Sequence, residues 1–77
     1  MPTIYIVHDM RTVADGSAVT VTSTQHTSRM SADMQFFTKA AAAANPDSQY
    51  PVHSVILCTN EGFVIDSKSY THEAQGA

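Results

Sequence analysis

The side chains best able to bind a metal ion are four histidines and one cysteine. They are His8, His26, His53, His72 and Cys58. A zinc site needs three or four such ligands that converge, usually including close pairs in the sequence. Successive histidines here are 18, 27 and 19 residues apart, and a strand through residues 53–58 would put its first and last residues on opposite faces. The spacing favours separate histidines, so we expect no bound metal and no other cofactor.

The same residues are the best candidates for catalysis. A nucleophilic enzyme needs a thiol or hydroxyl beside an oriented base, yet Cys58 has no cation nearby in the sequence to favour its thiolate. Asp9 and Asp66 are isolated carboxylates, and the three glycines form no phosphate-binding loop. We therefore expect a protein that is not an enzyme. A small metal-binding protein or enzyme that uses His8, His53 and Cys58 is the less favoured alternative.

Net charge limits the class of partner. Four Lys and Arg residues stand against seven Asp and Glu residues, for a net charge of −3. The basic residues are scattered, whereas nucleic-acid binding needs them clustered, so we expect no direct contact with nucleic acid. No apolar run reaches the roughly 20 residues that cross a bilayer, and a single cysteine fits a reducing compartment. The expectation is a cytoplasmic protein that does not bind membranes.

Two turn motifs bracket one alanine-rich segment. Asp15-Gly16 predicts a two-residue type I′ hairpin, which would place Met10 opposite Val21. Asn60-Glu61-Gly62 predicts a type I turn closed by a left-handed glycine, which would place Leu57 opposite Ile65. A helix between the two hairpins completes a ββαββ pattern.

Alternation along the first hairpin predicts two different faces. One holds Ile4, Ile6, His8 and Met10 beside Val19, Val21 and Ser23, and we expect it to face the core, with His8 bonded to Ser23 or to backbone. The opposite, solvent-facing side holds Tyr5, Val7, Asp9, Arg11, Thr20, Thr22 and Thr24. Threonines suit any exposed strand, and tyrosine and arginine are frequent in interfaces. This face is therefore either an ordinary wet surface or a protein-recognition surface.

The helix is predicted over Ala32–Ala44, with Ser28 or Ser31 as its cap and Asn45-Pro46 as its end. Apolar residues recur at spacings of three and four and predict the core-facing stripe, with Phe37 as its anchor. The stripe consists of Met30, Met34, Phe37, Ala41 and Ala44, widened by Phe36 and Ala40.

The second hairpin is apolar on both faces. One face would hold Val55, Leu57, Phe63 and Ile65, and the other Ile56, Cys58 and Val64. A single helix covers only one face of a sheet, so the face of Ile56, Cys58 and Val64 is predicted to contact another protein surface.

These elements predict one α+β domain over residues 1–68: a four-stranded antiparallel sheet of order 2-1-3-4 with one helix on one face. An order 3-1-2 or a split sheet is the rival arrangement. Residues 69–77 are expected to form a flexible polar tail.

The hypothesis for function is a non-enzymatic protein that binds another protein and occupies a surface of a larger macromolecular machine. A homodimeric structural or regulatory domain is the alternative. In its size and its layout of hairpins and one helix, the chain resembles small inhibitors encoded by phages and mobile elements, such as anti-CRISPR proteins. That resemblance implies inhibition of a host protein in the host cytoplasm.

Overall fold

The computed structural model describes residues 3–46 and 49–72, which form an α+β fold. Four antiparallel strands pair in the order β2-β1-β3-β4, and one helix packs on one face. In chain order the elements are β1 (Tyr5–Thr12), β2 (Val19–His26), α1 (Arg29–Ala43), β3 (Val52–Thr59) and β4 (Val64–Thr71). The predicted ββαββ pattern and strand order are confirmed.

The first hairpin has the predicted register but a different turn. Met10 lies opposite Val21, and Gly16 has a φ of 76°. Asp15, however, keeps a negative φ, since only glycines have a positive φ among residues 3–46 and 49–72. The N–H of Gly16 donates to the carbonyl of Val13 at 2.8 Å, so the strands are joined by a type I turn that ends in a left-handed glycine. The type I′ prediction is wrong.

The second turn is as predicted. The N–H of Gly62 donates to the carbonyl of Thr59 at 3.0 Å, and the N–H of Thr59 donates to Phe63 at 2.9 Å. Gly62 has a φ of 93°. These bonds define a type I turn closed by a left-handed glycine.

A bulge shifts the register beyond this turn. Cys58 lies opposite Val64, but Leu57 lies opposite Asp66, with the irregularity between Leu57 and Cys58. The predicted pairing of Leu57 with Ile65 is therefore wrong, because Ile65 is the extra residue of the bulged strand. Ile65 packs against the core beneath the helix.

The end of β4 includes residues 69–71, where the sequence predicts the start of a polar tail. Tyr70 packs against the core, and Nε2 of His72 donates to the carbonyl of Ala43 at 2.7 Å. This bond satisfies one of the carbonyls left open at the end of a helix. Residues 73–77 of the predicted tail lie outside the described residues.

The helix begins after Ser28, whose hydroxyl accepts the N–H of Ser31, but its buried stripe differs from the predicted one. The buried residues are Ala32, Phe36, Ala40 and Ala43. Phe37 is 59% exposed, so the prediction that it anchors the core is wrong. A polar contact explains which side of the helix faces the sheet. Gln35 donates a hydrogen bond to Thr24 at 3.1 Å, and a rotation of the helix that buried Phe37 would break this bond.

The helix-covered face of the sheet is also the opposite of the one predicted for β1. Val7 is buried with Val55 and Leu57, whereas Ile6, His8 and Met10 lie on the uncovered side. The cause is the pairing of β1 with β3, in which Val7 lies opposite Leu57. Directly paired residues point to the same face, so Leu57 draws Val7 under the helix.

Candidate functional site

The face of the sheet away from the helix, called the open face below, is one continuous surface across all four strands. Its directly paired rows are Val21–Met10–Ser54–Ser69, Ser23–His8–Ile56–Ser67 and Gln25–Ile6–Cys58–Val64. Thr12 and Val19 extend it at one end. The three residues predicted as a contact surface, Ile56, Cys58 and Val64, lie together on it.

The open face is uncharged, and the apolar side chains at its margins are well exposed. Val19, Val21 and Val64 are 56%, 55% and 62% exposed, whereas Ile6 and Ile56 between them are half-buried. In the described part of the chain, no Asp, Glu, Lys or Arg occupies any of these positions. The surface therefore offers dispersion contacts and burial of apolar area rather than ion pairs.

His8 lies near the middle of the open face. Its Nδ1 shares a hydrogen bond of 2.7 Å with the hydroxyl of Ser23, as predicted. The prediction that it faces the core is wrong, because its row lies on the side that α1 does not cover.

The opposite, helix-covered face contains a cluster of charged and polar side chains around Asp9, called the polar cluster below. One carboxylate oxygen of Asp9 accepts from Nε2 of His53 at 2.5 Å. The other accepts from Nη2 of Arg11 at 2.9 Å and lies 3.6 Å from Nζ of Lys39. Since these residues come from β1, β3 and α1, the polar cluster ties the helix to the two central strands.

The polar cluster stabilises the charged form of its carboxylate. Burial raises the pKa of Asp9, but hydrogen bonds from Arg11 and His53 outweigh burial and hold the pKa below the ordinary aspartate value. The hydrogen bond to Asp9 raises the pKa of Arg11 in return. Asp9 is thus a buried anion compensated by its donors.

His53 is enclosed on its second side as well. Nδ1 is buried and has no hydrogen-bond partner among the described residues, and the Tyr50 ring packs edge-on at 5.8 Å between centroids. With 3% of His53 exposed, its imidazole is closed to substrates, and its pair with Asp9 joins β3 to β1.

The other predicted recognition residues lie on the helix-covered side. Thr20 and Thr22 are exposed. Thr24, however, accepts a hydrogen bond from Gln35, and Tyr5 packs against the core. Together with the burial of Asp9, these contacts show that the prediction of a fully solvent-facing side is wrong. Protein recognition by these residues stays a prediction. The set of Tyr5, Asp9, Arg11, Thr20, Thr22 and Thr24 is also on the opposite side of the sheet from Ile56, Cys58 and Val64.

The fold does not bring together His8, His53 and Cys58, the residues of the metal-or-enzyme alternative. His8 and Cys58 lie on the open face, and His53 lies under the helix. Within residues 3–46 and 49–72, no group of three or more His, Cys, Asp or Glu side chains is placed to hold a metal ion.

Sequence reasoning missed a second exposed apolar surface on the outer side of α1. Met30, Met34 and Phe37 are 77%, 72% and 59% exposed, and Met34 lines a shallow groove with Ser31, Gln35 and Thr38. Ile6 and Met10 of the open face were assigned to the core instead. Their alternation with Val7 would have placed them correctly if the pairing of β1 with β3 had been known.

Comparisons of the chain with family models, with curated proteins and with solved structures gave no match. Among the described residues, no helix has the length and apolar character needed to cross a membrane.

Proposed function

We propose that this chain is a non-enzymatic protein-binding protein whose interface is the open face of its sheet. The observation that carries the proposal is an uncharged surface across four strands on which apolar side chains such as Val21 and Val64 stay exposed. Large exposed apolar patches rimmed by polar residues mark interaction sites on soluble proteins. This proposal implies that the surface of the partner protein that contacts the open face is also apolar and uncharged.

The size of the open face suits a specific protein interface. Four strands about 4.8 Å apart, each eight residues long at about 3.3 Å per residue, cover about 500 Å² in projection. Full coverage by a partner then removes at least about 1,000 Å² from water, counting both surfaces, which meets the lower threshold for a biological interface. A small ligand would leave most of this flat face uncovered.

In its most specific form, the proposal is that the protein inhibits a larger macromolecular machine by occupying one of its surfaces. The support is the resemblance in size and layout to inhibitors encoded by phages and mobile elements, such as anti-CRISPR proteins. Such a protein works in the host cytoplasm, without a cofactor and without direct contact with nucleic acid.

The experiment is photo-cross-linking from two neighbouring positions in the cells that carry the gene. A photoreactive amino acid replaces Val21, on the open face, or Thr22, the adjacent exposed residue on the other face. Protein adducts should form preferentially from position 21, and a second change, Val64→Lys, should remove them. Equal adducts from both positions, or adducts unchanged by Val64→Lys, would overturn the proposal.

A homodimeric structural or regulatory domain is the second candidate function. The observation that favours it is the absence of charge from the open face in the described part of the chain, because two identical surfaces then meet without repulsion.

A further inference from the structure

We propose that the outer edge of β2 binds an extended segment of another protein as a fifth strand of the sheet. This inference goes beyond the proposed function, because backbone groups at the edge of the sheet make the contact, and not the side chains of the open face. Its support is the direction of the β2 backbone groups, the regular shape of this edge, and its difference from the other edge, β4.

The backbone of β2 alternates between bonding to β1 and pointing away from the sheet. The N–H of Val13 donates to the carbonyl of Ala18 at 2.9 Å, and the register continues from there without a shift through all eight pairs of β1 with β2. In an antiparallel pair, residues that bond to the partner strand alternate with residues whose backbone groups point the other way. Thr20, Thr22 and Thr24 therefore bond to β1. The residues whose N–H and C=O groups point outward are Val19, Val21, Ser23 and Gln25.

These outward groups identify the chemistry of the occupant. Within the described part of the chain, β2 has a neighbouring strand on one side only, and its outward N–H and C=O groups repeat at every second residue, about 7 Å apart. A row of four donors and four acceptors at this spacing matches the backbone of another extended chain. Strand addition to an exposed sheet edge is a recurring mode of peptide recognition. The occupant is therefore an extended peptide segment that has no proline where it must donate to β2.

The two edges of the sheet differ in how well they resist such pairing. The other edge, β4, carries Asp66 and Lys68 and is interrupted by the bulge at Ile65. Charged side chains and bulges are features that keep edge strands from pairing with other chains. β2 contains no lysine, acidic residue, proline or glycine, and its first five residues are exposed. Strand addition is therefore expected at β2 and not at β4.

The side chains of β2 indicate the sequence that the segment carries. Val19 and Val21 point to the open face and are 56% and 55% exposed, and Thr20 and Thr22 are exposed on the other face. Side chains that lie opposite each other in paired strands contact each other, and apolar pairs and pairs of hydroxyl residues are both favourable. A segment in which apolar β-branched residues alternate with threonine or serine therefore fits this edge.

The test uses a synthetic peptide with this pattern, acetyl-Lys-Thr-Val-Thr-Val-Thr-Lys-amide, whose terminal lysines keep it in solution. Purified, isotope-labelled protein is mixed with the peptide at millimolar concentration, and amide hydrogen exchange is followed by NMR. Exchange should slow several-fold at the outward N–H groups of β2. It should hardly change at the N–H groups of Thr20, Thr22 and Thr24, because β1 already protects them. This alternation along one strand is the signature of a chain paired to its edge.

Two proline variants separate the edges. Val21→Pro removes one outward N–H and keeps an apolar side chain on the open face, and proline is tolerated at edge positions whose N–H faces solvent. It should abolish the effect of the peptide. Ser69→Pro is the matched control on β4. The N–H of His72 donates to the carbonyl of Pro51 at 2.8 Å, so by the same alternation the N–H of Ser69 points outward. This variant should respond to the peptide like the wild type.

Circular dichroism confirms that both variants are folded before exchange is compared. Unchanged exchange along β2, equal slowing on β2 and β4, or slowing that persists in Val21→Pro would each overturn the inference. If the outward N–H groups of the protein alone become protected as its concentration rises, the occupant is a second copy and the inference is wrong. The proposed function is tested separately. A strand on β2 borders positions 21 and 22 alike, so a preference of cross-linking for position 21 reports on the open face.

Discussion

The two faces of the sheet differ in a way that a free monomer does not require. The helix-covered face holds buried Asp9 with Arg11, Lys39 and His53 around it, whereas the described open face holds no charged residue. Charged side chains normally stay in water and apolar ones avoid it. Here the covered face carries the charge, and the uncovered face is uncharged and leaves apolar side chains such as Val21 and Val64 exposed. This difference supports the proposal that the open face contacts another protein surface.

The two sides of the helix repeat the contrast on a smaller scale. Phe36 is fully buried, and its neighbour Phe37 is 59% exposed, although the two rings touch edge to face at 5.5 Å between centroids. The free energy of unfolding therefore depends on the buried side chains between the helix and the sheet. Substitutions at matched buried and exposed positions test this difference directly.

The largest expected effect is from Phe36→Ala. Removal of a fully buried aromatic ring costs about 3–5 kcal/mol of unfolding free energy, which is most of the stability of so small a domain. Phe37→Ala is the matched control and should cost far less, because its ring is mostly in water. Urea melts of both variants decide the matter, and equal losses would show that the covered and outer sides of α1 do not differ as described.

Asp9→Asn should have the next largest effect. The substitution removes the anion that Arg11, Lys39 and His53 surround, and the expected loss is about 2–3 kcal/mol, below the full cost of breaking a buried pair because two partners are partly exposed. Asp33→Asn breaks an exposed pair with Arg29 and should cost under about 0.5 kcal/mol. Thermal or urea denaturation of the two variants at neutral pH compares them. A loss at Asp9 as small as that at Asp33 would contradict a stabilising polar cluster.

The smallest expected effect is the pH dependence that Asp9 contributes. Its pKa is lower in the folded than in the unfolded chain, so the unfolded state takes up its proton at the higher pH. The stabilisation is complete above the ordinary aspartate pKa and is lost as the pH falls through the folded value. The stability difference between wild type and Asp9→Asn should therefore shrink in acid. A difference that stays constant in urea melts from neutral to strongly acidic pH would contradict the assignment.

Local sequence signals predicted the strands, the helix and both hairpins, because turn residues and alternation act over a few neighbouring residues. The strand order followed from the handedness of crossover connections. They could not predict which face of β1 lies under the helix. That choice depends on the pairing of Val7 with Leu57, 50 positions apart in the chain, and the phase of α1 depends on contacts such as that between Gln35 and Thr24. The shared face of Ile56, Cys58 and Val64 was predicted correctly because the second hairpin has apolar residues on both faces.

The most direct test of the central claim is the reactivity of Cys58 toward a maleimide in undiluted extract of cells that make the protein. If the open face is covered by any protein, the wild-type thiol should be alkylated slowly, Val21→Lys should react much faster, and Thr22→Lys should match the wild type. Rapid and equal alkylation of Cys58 in all three proteins would show that the open face is bare, and would contradict the account.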